Sequence, residues 1–313
     1  MRKNILFTFL RFFVSFLFIY LILRKINFDE VGQVLKNVDL FSLSITFLFI
    51  FFINIPLALR FKYILEIYFK ETLSLLLIWK LTMIGLFFNN FLPTSAGGDI
   101  VKIFYIVKDE KEKLLSGISI LIDRYIGALT VMTMGTISVL FYYYEKISIL
   151  ILILMFLLIF FFYFFSKREI AFFFYKFLKK IFPPIINEKL LVFYNSINFY
   201  FVKNKRKLYL AILISFITQI LSIFSQYFLV YSILKKKISF YPFFIFIPLI
   251  WTSTLIPSIG GLGIREFSYI YLFSNFIGKD NAYALSLLVL LSIIFNSIIG
   301  GVIFLTFRVK KFH

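Results

Sequence analysis

Residues Phe41 to Leu59 read FSLSITFLFIFFINIPLAL, a run without a single charged side chain. Wound as a helix it rises about 28 Å, close to the roughly 30 Å of hydrocarbon in a bilayer. Lipid offers backbone N–H and C=O groups no partner, so such a run must close its hydrogen bonds within itself as an α-helix. Comparable runs lie on both sides: Leu73 to Leu92, Gly117 to Phe141, Ile147 to Ser166, Leu208 to Leu234, Tyr241 to Pro257 and Ala282 to Phe307. Ile5 to Leu23 follows a basic start, but it is too long for a signal-peptide core and has no small-residue cleavage pattern, so it reads as a retained span. The 313-residue chain is 61% hydrophobic, with 47 Phe and a mean hydropathy of +0.96, more apolar surface than a soluble core can use. The expected fold is all-α, a polytopic helical protein of the cell membrane with about eight long spans.

Composition also removes chemistries. There is no cysteine and the single histidine is His313, so thiol, disulfide and histidine-based metal or acid–base sites are not expected. No cofactor, metal or catalytic group is assigned. The net charge of +19, from 34 basic and 15 acidic residues, fits cytoplasmic loops and anionic lipid head groups rather than nucleic acid. Lys167 to Lys207 is basic yet studded with Phe, Ile and Tyr. It reads either as interfacial amphipathic helices broken at Pro183 and Pro184 or as an ordinary basic loop.

One internal match stands out. Pro93 to Ile106 (PTSAGGDIVKIFYI) aligns with Pro257 to Ile270 (PSIGGLGIREFSYI), sharing Pro, Gly, Ile, Tyr and Ile. Each segment follows a long apolar run and precedes another, which suggests two related halves, residues 1–145 and 146–313. With only the long runs crossing and the N-terminus inside, more loop Lys and Arg fall outside than inside, the wrong sign for a membrane protein. If each proline–glycine segment also crosses, the sign is corrected and the halves are inverted. Short re-entrant helices with the N-terminus outside are the alternative.

Ionisable residues at membrane depth usually face a protein interior or an aqueous cavity. Arg11 and Lys80 fall within runs, Asp123 and Arg124 in the early turns of another, Asp99 and Lys102 in the first motif, and Arg265 and Glu266 in the second. These are five cations and three anions, so internal pairing leaves positive charge for an anionic ligand. Pro93, Gly97 and Gly98, and likewise Pro257, Gly260, Gly261 and Gly263, permit an unwound backbone where a helix restarts, and amides at a new helix N-terminus favour phosphate or carboxylate. Asn89 and Asn90 either bind a head group or hydrogen-bond the freed carbonyls. Gln219, Gln226 and Asn296 read as interhelical hydrogen-bonding residues.

The stretch Asn89-Asn-Phe-Leu-Pro-Thr-Ser-Ala-Gly-Gly-Asp99, followed by Asp123-Arg124 and later by Ile256-Pro-Ser-Ile-Gly-Gly-Leu-Gly-Ile-Arg-Glu266, resembles the lysylphosphatidylglycerol synthase transmembrane family of flippase-like proteins over nearly the whole chain. In its best-known members further spans and a soluble aminoacyl-transferase domain follow. Because the sequence reaches His313 directly after its last run, the resemblance implies a stand-alone membrane unit and not a synthase. It further implies a translocator of an anionic, polyprenyl-phosphate or aminoacylated lipid. A membrane transferase acting on a lipid phosphate, with Asp99 or Glu266 as base, is the enzyme alternative. A non-transporting partner of a separate synthase or glycosyltransferase is the third.

Overall fold

The structure is a computed structural model that describes residues 28–69, 73–91, 97–106, 110–142, 204–254 and 261–307, with 172–173, 176, 195 and 199–200. The expected spans at 5–23 and 147–166, and most of the basic segment 167–207, lie outside the described residues. The described helices are α1 (Phe28–Lys36), α2 (Leu40–Tyr68), α3 (Leu75–Phe91), α4 (Gly97–Ile106), α5 (Glu110–Tyr142), α6 (Lys205–Leu234), α7 (Tyr241–Ser253), α8 (Ile264–Ile277) and α9 (Lys279–Thr306). The fold is that of a polytopic helical membrane protein, with long apolar stretches at Leu40–Tyr68, Leu115–Ile137, Lys205–Leu234 and Lys279–Thr306.

Side chains are distributed as a bilayer dictates. Phe41 and Leu305 are 75% and 83% exposed, whereas Arg60 is 5% exposed and Asp99 and Glu266 are buried. In water such an apolar surface would be a large unsatisfied patch; in lipid it is the solvated face, and the polar groups turn inward to meet one another.

Two boundaries differ from expectation. Helix α7 ends at Ser253, not Pro257, and has 13 residues. A helix reaching Pro257 would need an N–H to bond the carbonyl of Ser253, which proline lacks. Helix α5 begins at Glu110, because Glu110 to Lys113 are good helix formers. Asp123 and Arg124 therefore sit well inside α5 and not in its early turns.

At each proline–glycine segment the chain turns back on itself. Asn89 of α3 bonds Gly98 at the start of α4, and Gly85 lies against Lys102 further along it, so α3 and α4 run antiparallel. In the second half Ser253 bonds Ser268 and Phe243 meets Phe276, which makes α7 and α8 the same kind of hairpin. With 10 residues, α4 rises only about 15 Å.

The long helices α2 and α6 pack together antiparallel: Asp39 meets Ser232, Arg60 meets Ser215 and Glu66 meets Lys207. Around them α3 packs on α9 and α5 on α7, while α2 touches α5 as α6 touches α9. These contacts share a register. Gly300 of α9 faces Met83 and Phe87 of α3, and Gly135 of α5 faces Pro248 and Thr252 of α7. The step in residue number from Gly135 to Gly300 is the same as from Met83 to Pro248 and from Phe87 to Thr252. It is one residue longer than the step from Pro93 to Pro257, because Pro257 follows Thr252 by one position fewer than Pro93 follows Phe87.

Candidate functional site

Three arginines organise the interior, each held by a carboxylate. Arg60, on α2, donates from Nε to Asp123 Oδ1 at 2.7 Å and from Nη2 to Oδ2 at 3.0 Å, a two-pronged fork. Its Nη1 donates to Ser215 Oγ at 2.9 Å, and Ser215 is bonded in turn to Thr130. Arg124, on α5, donates from Nε to Asp99 Oδ2, and the Lys102 ammonium lies 3.9 Å from the other oxygen of Asp99 and over the ring of Phe61. Arg265 donates from Nε and Nη2 to Glu266 Oε1 at 3.0 and 2.8 Å.

Local sequence explains where the acids sit. Asp99 lies in the first turn of α4 and Glu266 in the first turn of α8, where the helix dipole favours a negative charge. Glu266 Oε2 also accepts the amide of Gly263 at 2.6 Å. Gly261 and Gly263 hold φ of +80° and +83°, the turn that glycine allows and that brings Glu266 back over its own helix start. In the first motif glycine serves a different end. A Cβ on Gly98 would lie 2.0 Å from the carbonyl oxygen of Gly85, so the α3–α4 hairpin closes only with glycine there.

A cavity of about 1000 Å³ lies among these helices. Arg60, Arg124 and Arg265 line it, as do Asn54, Asn89, Asn90, Gln219, Gln226, Tyr269 and Asn296. Among the described residues no Asp or Glu is part of the lining. The carboxylates stand behind their arginines, which makes the wall basic while leaving each cation paired.

The lining also follows the register of the fold. The step that takes Gly135 to Gly300 takes Asn54 to Gln219, Arg60 to Ser225, Leu86 to Trp251, Asn89 to Thr254, Arg124 to Val289 and Val131 to Asn296, all of which line the cavity. Neutral residues thus occupy the second-half positions that match Arg60 and Arg124.

Of the residues expected from sequence, Arg124, Arg265, Asn89, Asn90 and Gly261 reach the cavity. Asp99, Lys102, Asp123, Gly263 and Glu266 form the layer behind it. Gly97 and Gly98 are buried in the helix contact, and Lys80 is half-buried on α3, away from the lining. Arg11, Pro93, Pro257 and Gly260 lie outside the described residues. Asn89 accepts the Gly98 amide at 2.9 Å rather than bonding freed carbonyls, so the amides at Gly98 and Gly263 are satisfied by the protein's own side chains. Among the described residues, the charged groups that face the cavity are guanidiniums. Asn90 bonds Ser297, and Asn54 bonds Asn296 at 2.8 Å, so Asn296 links helices as expected and faces the cavity as well.

Sequence reasoning missed Arg60. The apolar run stops at Leu59, which makes Arg60 look like the first loop charge; yet Phe61, Ile64 and Leu65 continue a helical spacing, the available signal that the helix runs on. Among the described residues no group of three or more His, Cys, Asp or Glu is placed to hold a metal.

A family model described as the lysylphosphatidylglycerol synthase TM region matches residues 8–300. The UPF0104 membrane protein MJ1595 of Methanocaldococcus jannaschii is 29% identical over 113 residues, which are 36% of this chain and 33% of that protein. The match therefore spans a third of that relative's length. No solved structure matches.

Proposed function

The chain belongs to the family of lysylphosphatidylglycerol synthase transmembrane regions, and from that premise we propose that it is a translocator that moves a lipid with an anionic head group between the leaflets of the cell membrane. The observation that carries this reading is the cavity whose wall holds Arg60, Arg124 and Arg265 with their carboxylates set behind. A phosphate entering it displaces no internal pair, because each guanidinium is oriented by its acid and still faces the cavity.

The architecture supplies a means of exposing that cavity to either side. The antiparallel α2 and α6 and the repeated register are what inverted halves produce. Exchanging the roles of the halves would close α5 on α7 as tightly as α3 now meets α9, and open the latter seam. The lipid tails stay in hydrocarbon throughout, so only the head group crosses through protein.

The enzyme alternative draws less support. General-base work needs a carboxylate oxygen within reach of substrate, but both oxygens of Asp123 and of Glu266 are engaged, and none of the three acids lines the cavity. The direct test is leaflet exchange of a fluorescent phosphatidylglycerol in vesicles containing purified protein. Acceleration is expected, reduced at least tenfold by Arg124→Gln. Folded protein that accelerates no anionic lipid overturns the reading.

A further inference from the structure

The two walls of the cavity differ in charge, and that difference bears on which head group fits; this inference rests on the translocator reading. We propose that the cavity takes a net-anionic phosphate ester bearing hydroxyl groups, with the phosphate among the three arginines and the hydroxyls on the α6 wall, and that it excludes the aminoacylated, net-cationic form of such a lipid.

The first-half wall presents Arg60 and Arg124, joined by Arg265 of α8. Guanidinium forks match phosphate oxygens in geometry and charge. Arg60 uses three N–H groups on Asp123 and Ser215, and a guanidinium carries five. An ammonium in the same place would meet three guanidiniums, and a buried cation without an anionic partner is strongly disfavoured. The acids that could answer it are already committed: Asp123 to both prongs of Arg60, Glu266 to Arg265 and the Gly263 amide, and Asp99 to Arg124 with Lys102 beside it.

The wall formed by α6 is neutral. Gln219, Ser222, Ser225 and Gln226 line it, with Ser225 at the position matching Arg60. Gln226 is 8% exposed, and its Oε1 is buried without a hydrogen-bond partner. Buried acceptors in native structures are nearly always satisfied, so this oxygen calls for a donor, which a head-group hydroxyl supplies and a bare phosphate monoester does not place there.

The chain has two tryptophans, and Trp251 lines the cavity. Trp79 lies outside it, with Nε1 buried and unpartnered, so Trp79→Phe removes an unsatisfied donor and leaves Trp251 as a local reporter. Its emission is followed in the full chain, in detergent, against dioleoyl phosphatidylglycerol, its lysyl ester, dioleoyl phosphatidic acid and soluble glycerol phosphate. Phosphatidylglycerol is expected to bind saturably and at least tenfold more tightly than the lysyl ester or glycerol phosphate. Arg124→Gln should narrow the gap to the lysyl ester tenfold, and Gln226→Leu should erase the preference for phosphatidylglycerol over phosphatidic acid. A lysyl ester that binds as tightly as phosphatidylglycerol overturns the inference, and so does glycerol phosphate binding as tightly as the lipid. Vesicle exchange separates the two levels. If the lysyl ester moves as fast as phosphatidylglycerol, the head-group inference falls and the translocator stands. If Trp251 discriminates but no lipid moves, the translocator falls and the head-group inference stands.

Discussion

Helices α3 and α9 meet backbone to backbone, whereas α5 and α7, the pair at matching positions, meet through side chains. A Cβ on Gly300 would lie 2.1 Å from the carbonyl oxygen of Met83; one on Gly135 would lie 3.6 Å from Pro248 Cβ, an ordinary contact. The same contrast runs through the polar groups. Arg60 makes a buried fork with Asp123, while Ser225, its counterpart, bonds the carbonyl of Ser222 one turn back. A repeated scaffold therefore carries one closed seam, and a buried ion pair where the matching position holds a serine.

The contrast can be broken at its strongest point first. Arg60→Gln leaves Asp123 enclosed without its fork and should cost about 3–5 kcal/mol, whereas Ser225→Ala should cost no more than about 1 kcal/mol. Unfolding in detergent, followed by helical circular dichroism, measures both, and equal losses would erase the distinction between the halves.

The seams come next. Gly300→Ala forces two backbones apart and should destabilise the protein by about 1–3 kcal/mol. Gly135→Ala has room here and should leave stability within about 0.5 kcal/mol of the parent. If the halves exchange roles during transport, the second state needs glycine at 135 as this one needs it at 300. Gly135→Ala should then slow vesicle lipid exchange at least tenfold while folding normally, and a fully active Gly135→Ala protein would remove the exchange mechanism.

A smaller effect is expected between Asn54 and Gln219. Asn54→Ala breaks the buried bond to Asn296, and interhelical bonds of this kind contribute about 0.6 kcal/mol on average in membranes. Gln219→Ala should change stability less than that, measured in the same unfolding series.

The smallest lies at the entrance to α2. Asp39 caps the helix, and the hydroxyl of Ser42, with the amides of Phe41 and Ser42, holds its carboxyl below the usual carboxylate value. A lowered pKa contributes stability that is complete above the unfolded value, near 3.9, and is lost as pH falls through the folded one. The melting temperature of the parent should therefore drop slightly more than that of Asp39→Asn as the pH is lowered below about 4.

The sequence made the material of the fold legible. Runs such as Phe41 to Leu59 can be stable in lipid only as helices, and prolines and glycines mark where helices stop because they alter the backbone itself. It also marked most of the charged residues of the site, since a charge at membrane depth needs a partner wherever it is. Which partner was not legible: Arg60 and Asp123 lie far apart in the chain and meet only because α2 packs on α5. Composition fixed that the interior holds cations and acids together. Only the tertiary structure decided that the arginines face the cavity and the acids stand behind, because that order depends on how each helix is rotated in the bundle, and periodicity in an almost uniformly apolar helix carries no record of rotation.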